Sequence, residues 1–197
     1  MVKFYSLNIK NLNEYTTQNL EDVFPLRYKK AMSYKNVKDR KLCIGAGILL
    51  HYVIGLKESD IKVNEYGKPY SDKLKFSISH TEDTVVILIS NSFDVGIDIE
   101  SPHRDASKIE TLFHQNELEA VKNKKLTSIE VWTRKEALLK YLGIGLTTKL
   151  SDFDTSKDVL DIKNEEVRIY TYSTKTLVIS CVTNSKDIFD PSLLKLK

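Results

Sequence analysis

The stretch VGIDIE, residues 95–100, carries two carboxylates at a spacing that could serve a metal ion. Successive side chains of a strand point to opposite faces, so Asp98 and Glu100 share one face while the three apolar residues share the other. Two residues of strand span about 6.6 Å, which lets both carboxylates approach one cation. Hard cations such as Mg²⁺ prefer oxygen ligands and keep waters that a phosphate can replace. A bare D-x-E pattern more often belongs to an exposed acidic strand edge, and this alternative stays open.

A second group of charges lies in VWTRKEALLKYLGIGL, residues 131–146. Glu136 and Lys140 are one helical turn apart, next to the apolar side chains of Trp132 and Leu138. A surface ion pair at this spacing, worth roughly 0.2–0.5 kcal/mol, is one interpretation. The other makes Glu136 a third carboxylate for the same ion and brings Lys140 to a phosphate. With VGIDIE, this segment predicts a phosphoryl site.

Several cationic side chains could meet such a phosphate. His80 follows the strand-like FSIS, and Lys68 lies in the turn YGKPY. A single histidine is more often structural than functional, although near phosphates it can donate a hydrogen bond or carry charge. Basic residues also crowd a predicted helix start near residue 37, where cations oppose the helix dipole. Either a solvated face or an anion bound between two helices would explain them.

The surrounding pattern predicts elements that place these residues. We expect strands at 2–9, 75–79, 85–90, 95–100, 167–172 and 177–182, and helices at 25–33, from 37 to about 52, before Phe113, at 116–121 and from 128. The strands between 75 and 100 are predicted to form a meander. Thr127 and Glu130 form a capping-box pattern, and Gly143 ends the helix that follows. The order of strands and helices favours the α+β class.

Composition limits the class of protein. The chain has 197 residues, 41% apolar and 29% charged, with a net charge of +3, which is typical of a soluble globular protein and does not point to nucleic acid. Cys43 and Cys181 show no metal or redox spacing, so we expect reduced thiols in the cytoplasm. The longest apolar run, near 44–56, is too short to cross a membrane.

Five motifs in order, YGKPY, FSISHT, VGIDIE, FHQNELEAV and WTRKEALLKYLGIGL, resemble the 4′-phosphopantetheinyl transferases of the Sfp-like class. The resemblance covers about residues 27–146. Its most specific part is G-[IV]-D-[IV]-E followed about 30 residues later by W-[ST]-x-K-E-[AS]-x-x-K, and every defined position is matched. The N-terminal basic segment RYKKAMSYKNVKDRK aligns only loosely.

The resemblance implies two similar α+β halves related by a pseudo-twofold, here 1–102 and 103–197, with coenzyme A in the cleft between them. It implies transfer of the phosphopantetheine arm to a serine of an apo acyl or peptidyl carrier protein, releasing adenosine 3′,5′-bisphosphate, as in holo-[acyl-carrier-protein] synthases. The second half would contact the carrier. A cytoplasmic monomer is expected, with no nucleic-acid or membrane partner. Fatty acid, polyketide and nonribosomal peptide synthesis all stay open as pathways.

The resemblance also implies roles at matching positions. Asp98, Glu100 and Glu136 would hold Mg²⁺, with Mn²⁺ as an alternative, on the coenzyme A diphosphate. Glu136 or a metal-bound water would take the serine proton, and Lys140 would steady the diphosphate and the leaving group; Asp98, Glu136 and Lys140 are thus the expected catalytic residues. The residues expected near phosphates or the nucleotide are Lys30, Arg40, Lys68, Ser79 and His80.

Two rival functions remain at this point. Another Mg²⁺-dependent phosphoryl enzyme, such as a phosphatase or nuclease, could use the same three carboxylates but would need a site for water attack. A catalytically silent protein of the same fold could bind coenzyme A or a carrier protein. The presence of Asp98, Glu100, Glu136 and Lys140 together favours the transferase over the silent protein.

Overall fold

The computed structural model describes residues 1–12, 14–145 and 150–186. Leu146, at the end of the last motif, and residues 147–149 and 187–197 of the predicted second half lie outside the described residues. The strands are β1 Val2–Asn8, β2 Lys62–Val63, β3 Pro69–Tyr70, β4 Lys75–Thr81, β5 Thr84–Ser90, β6 Val95–Glu100, β7 Val159–Ile162, β8 Glu165–Ser173 and β9 Val178–Thr183. The α-helices are α1 Glu14–Val23, α2 Pro25–Ser33, α3 Val37–Ile48, α4 Gln115–Lys122 and α5 Ser128–Leu142.

Most strands belong to two antiparallel sheets. One has the order β1-β5-β4 and the other the order β6-β9-β8-β7, while β2 and β3 form a separate hairpin. In the first sheet β5, the last of its strands along the chain, lies between β1 and β4. In the second sheet β9, also the last along the chain, lies between β6 and β8. The mixture of helices and antiparallel strands agrees with the predicted class. None of the helices in the described ranges is both long and apolar enough to cross a membrane.

The apolar core is arranged in layers. Alternate residues of β5, such as Val85 and Ile87, face α3 and the other N-terminal helices. Their neighbours Val86 and Leu88 face the opposite way, against the apolar residues of β6 and β9. On its other side the second sheet is covered by α5. Burial of both faces explains why the central strands are almost continuously apolar in sequence.

The predicted meander of β4, β5 and β6 is wrong for its last strand. β6 pairs with β9, so that Asp98 stands opposite Ser180. Toward β4, the main-chain N–H of Ile97 donates to Ser77 Oγ at 3.1 Å and that of Ile99 donates to Ser79 Oγ at 3.3 Å. The true partner of β6 lies about 80 residues further along the chain, a distance that a local strand pattern does not register.

Helix α5 has the predicted start and end. Thr127 Oγ1 accepts from Glu130 N–H at 3.2 Å, and a Glu130 carboxylate oxygen accepts from Thr127 N–H at 2.7 Å, completing the capping box. Gly143 ends the helix with φ of 72°. The helix lies directly on β6 at Gly96, where an added β-carbon would stand 2.0 Å from the carbonyl oxygen of Ala137. This close approach sets the middle of α5 against the strand of VGIDIE.

Candidate functional site

Strand β6 separates its apolar and acidic residues as the alternation predicts. Val95, Ile97 and Ile99 are buried in the core between the sheets. Asp98 and Glu100 both line a cleft of about 370 Å³ on the other face. The predicted placement of the two carboxylates on one face is therefore confirmed.

The Asp98 carboxylate is held by two neighbours. Its Oδ1 accepts from Lys140 Nζ at 2.7 Å and from Ser79 Oγ at 2.7 Å. Lys140 Nζ also donates to Ser79 Oγ at 2.9 Å. Lys140, four residues after Glu136, thus reaches Asp98 from α5. Side chains from β4, β6 and α5 therefore meet at the Asp98 carboxylate.

Glu100 has a cation of its own. Its carboxylate accepts from Arg104 Nη1, and Thr81 Oγ1 donates to it at 3.2 Å. The Arg104 guanidinium also lies over the ring of Trp132, with its Cζ 5.4 Å from the centroid. Arg104 lines the same cleft, a position that was not predicted from the sequence. Its position four residues after Glu100 was the available signal, but outside a helix that spacing does not predict contact.

Glu136 lies half-buried on the cleft side of α5. Burial and, after it, the neighbouring Asp98 carboxylate raise the pKa of Glu136, while the Lys140 and Arg104 cations oppose that rise. A carboxyl group in this setting gains from an added cation, because the cation offsets both lost hydration and like-charge repulsion.

Three carboxylates, from Asp98, Glu100 and Glu136, therefore line one cleft. Among the described residues, no three acidic, histidine or cysteine side chains stand ready-made in metal-ligand geometry. In this conformation Lys140 and Arg104 neutralise Asp98 and Glu100. The all-oxygen donor set fits Mg²⁺, provided that these two cations give way.

Most of the residues predicted to bind phosphate lie in the cleft and in two neighbouring cavities. His80 lines it and also lines a neighbouring cavity of about 280 Å³ together with Lys30. Burial and then the Lys140 cation lower the pKa of His80. Lys68 lies in another cavity of about 310 Å³, which Glu136 and Lys140 also line, and burial lowers its pKa.

Arg40 stands apart from these residues at the start of α3. Its Nε donates to the Tyr34 carbonyl oxygen at 2.6 Å, within the connection between α2 and α3. The structure therefore brings together Ser79, His80, Asp98, Glu100, Glu136 and Lys140, and it places Lys30 and Lys68 in the adjoining cavities.

Two further charged residues of α5, Arg134 and Lys135, point away from the cleft. Arg134 is buried and donates to the carbonyls of Thr155 and Lys157 at 2.6 and 2.7 Å. Lys135 is buried and forms an ion pair with Glu117. Residues one position apart on a helix lie about 100° apart around its axis, so Lys135 and Glu136 cannot share a direction.

Comparison with known proteins identifies relatives of one kind. Residues 94–186 match the model of the 4′-phosphopantetheinyl transferase superfamily. The chain is 35% identical over 156 residues to the 4′-phosphopantetheinyl transferase gsp of Aneurinibacillus migulanus, a match covering 70% of this chain and 65% of that protein. It is 30% identical to the L-aminoadipate-semialdehyde dehydrogenase-phosphopantetheinyl transferase of Candida glabrata, over 56% of this chain and 49% of that protein. It is 36% identical to the 4′-phosphopantetheinyl transferase AcpT of Salmonella typhi, over 40% of this chain and 47% of that protein. The chain thus spans between about half and two thirds of the length of these relatives.

Proposed function

We propose that the chain is a 4′-phosphopantetheinyl transferase, because residues 94–186 match the model of that superfamily and the chain is 35% identical to one such enzyme. In this proposal it transfers the 4′-phosphopantetheine group of coenzyme A to a serine of an apo acyl or peptidyl carrier protein. The observation that carries this proposal is the cleft in which Asp98, Glu100, Glu136 and Lys140 meet. All four residues lie in the stretch that matches the superfamily. The enzyme would be of the holo-[acyl-carrier-protein] synthase type, acting as a cytoplasmic monomer.

We further propose that the chain consists of two halves, 1–102 and 103–197, related by a pseudo-twofold. The shared strand order of the two larger sheets supports a twofold relation, with the repeated set of strands beginning at β1 and at β6. Strand β6 belongs to the first half by sequence but is hydrogen-bonded into the second sheet. The cleft residues accordingly come from both halves, with His80 and Asp98 from the first and Glu136 and Lys140 from the second.

The chain's own cations would bind and orient coenzyme A. Lys140 would leave Asp98 for the diphosphate, and His80, adjacent to Ser79, would donate a hydrogen bond to a phosphate. Lys68 would contact phosphate from the other cavity, while Lys30 and Arg40 would serve the nucleotide end. Mg²⁺ or Mn²⁺, held by the three carboxylates, would supply positive charge to the diphosphate.

In the transfer, the carrier serine oxygen forms a bond to the phosphorus that bears the pantetheine arm. The bond from that phosphorus to the bridging oxygen breaks, and adenosine 3′,5′-bisphosphate leaves with the electron pair. Glu136 would accept the serine proton as a general base. Lys140 stabilises the negative charge that develops on the bridging oxygen.

Intact-protein mass spectrometry tests the proposal. The purified protein is mixed with coenzyme A, Mg²⁺ and a panel of apo acyl and peptidyl carrier domains, with and without EDTA. We expect one phosphopantetheine to be added to a carrier, and no addition with EDTA or with Asp98→Asn. Coenzyme A binding without transfer to any carrier would favour the silent binding protein, and equal transfer by Asp98→Asn would remove Asp98 from the site.

A further inference from the structure

One side chain ties the turn between β2 and β3 to the end of α5. Asn64 Oδ1 accepts from the main-chain N–H groups of Tyr66 and Lys68 at 3.0 and 2.8 Å, which shapes the turn. Asn64 Nδ2 donates to the carbonyl oxygen of Gly143 at 2.7 Å. The same amide group therefore shapes the turn and joins it to a helix end 79 residues further along the chain.

The two segments that Asn64 joins carry charged side chains that line the same cavity. The turn carries Lys68, and the helix carries Glu136 and Lys140; all three line the cavity of about 310 Å³. The last carbonyl groups of a helix lack partners within the helix, and Asn64 supplies one for Gly143 immediately after α5. The bond thus joins the segment that carries Lys68 directly to the helix end that follows Lys140.

The turn does not need the bond to Gly143 for its own shape. Gly67 N–H donates to the Asn64 carbonyl at 3.0 Å, and Asn64 N–H donates to the Lys68 carbonyl at 3.0 Å. These bonds and the two to Oδ1 close the turn locally. The contribution of Nδ2 is therefore the placement of the turn against α5.

We propose that Asn64 is a positioning residue that holds Lys68 opposite Lys140 for the phosphates of coenzyme A. This inference rests on the proposed function. Burial lowers the pKa of Lys68, so its ammonium group is poorly hydrated where the turn now lies. Release of the turn from Gly143 would return that ammonium to water and weaken its interaction with an anion, because water screens charges more than protein does.

Asn64→Ser isolates the bond to Gly143. A serine hydroxyl supports the same kind of turn but is too short to reach the helix. Asn64→Asp is unsuitable, since it would add a carboxylate beside the phosphates and weaken binding for that reason alone. Asn8→Ser is the matched control, because Asn8 Oδ1 also accepts from the N–H two residues ahead, that of Lys10 at 2.9 Å.

The test is a double-mutant cycle of coenzyme A affinity, measured by titration calorimetry on the wild type, Asn64→Ser, Lys68→Ala and the double variant. Loss of one neutral hydrogen bond that acts through Lys68 should weaken binding about three- to tenfold in the wild-type background and less than about twofold in the Lys68→Ala background. Asn8→Ser should bind like the wild type. Thermal melts confirm folding, and Asn64→Thr takes the place of Asn64→Ser if the latter does not fold.

Equal weakening in both backgrounds would overturn the inference, because Asn64 would then not act through Lys68. A lower melting temperature with unchanged affinity would also overturn it, because the bond would then serve stability alone. Failure of the wild type to bind coenzyme A would overturn the proposed function and this inference with it. Wild-type binding that Asn64→Ser leaves unchanged would overturn this inference alone.

Discussion

Lys135 and Glu117 form a buried ion pair that should be costly to break by removal of one partner. Lys135 Nζ lies 2.8 Å from a Glu117 carboxylate oxygen, and the two side chains are 1% and 0% exposed. Lys135 also donates to the carbonyls of Leu150 and Phe153 at 2.8 and 2.6 Å. In Lys135→Met the volume is largely kept, but the Glu117 carboxylate is left buried without its cation. Removal of one partner from a buried pair costs about 3–5 kcal/mol of unfolding free energy.

An exposed pair of nearly the same length provides the control. Lys75 Nζ lies 2.9 Å from an Asp94 carboxylate oxygen, with the side chains 53% and 50% exposed. Exposed pairs contribute about 0–1 kcal/mol, so Lys75→Met should change stability little. Urea unfolding followed by circular dichroism measures both variants. At about 2–4 °C per kcal/mol for a chain of this size, Lys135→Met should melt roughly 6–20 °C below the wild type.

A second substitution separates the lost cation from lost packing. Glu117→Gln combined with Lys135→Met removes the stranded charge and should recover part of the stability. The reasoning would be refuted if Lys135→Met and Lys75→Met cost the same, since burial would then not decide the value of a pair. It would also be refuted if Lys135→Met kept full stability but lost coenzyme A binding, because that result would place Lys135 in the cleft.

Three further substitutions test other parts of the structure. Lys140→Ala should lower kcat by a larger factor than it raises the Kd of coenzyme A, because its ammonium meets the leaving oxygen mainly in the transition state; equal losses in steady-state kinetics and calorimetry would contradict that role. Gly96→Ala should destabilise the fold by about 3 kcal/mol or more, since the new β-carbon would meet the Ala137 carbonyl; urea unfolding at wild-type stability would show that α5 can move off the strand. His80, whose pKa is lowered, is neutral at pH 7, and phosphates favour its charged form. Coenzyme A binding should therefore take up protons at pH 7, and His80→Gln should abolish this uptake in calorimetry across buffers of different ionisation enthalpy; unchanged uptake would assign it to another group.

Local signals in the sequence predicted local structure well. The Thr127 and Glu130 pattern and Gly143 set the bounds of α5 because capping bonds join residues close in sequence. The alternation of β6 predicted which side chains face the cleft for the same reason. The pairing of β6 with β9 was missed, because sheet partners are chosen by packing between distant segments. Strand β7 lies in a region predicted to be strand-rich, but its bounds were not predicted; its residues are partly exposed at the sheet edge, so its apolar pattern is weak.

At the candidate site, too, the residues were predictable from the sequence but their long-range contacts were not. Asp98, Glu100, Glu136 and Lys140 were predicted by residue type and motif, and the structure places them in one cleft. The pairing of Asp98 with Lys140 and of Glu100 with Arg104 was not predictable. Arg104, for example, reaches Glu100 through a turn whose path the sequence does not specify. The different directions of Lys135 and Glu136 do follow from helical geometry. Helical geometry does not predict that Lys135 is buried, because its burial depends on the loop that covers it.

The serine hydroxyls between β4 and β6 have a dynamic consequence. Ser79 Oγ accepts from Ile99 N–H across the boundary of the two sheets and also bonds to Asp98 and Lys140 in the cleft. A fluctuation that parts β4 from β6 breaks side-chain bonds rather than a main-chain ladder, and it must also release Asp98 from Ser79. Separation of β4 from β6 and rearrangement of the charged side chains in the cleft should therefore occur together. Relaxation-dispersion measurements should then give a single exchange rate for Ile99 and Asp98.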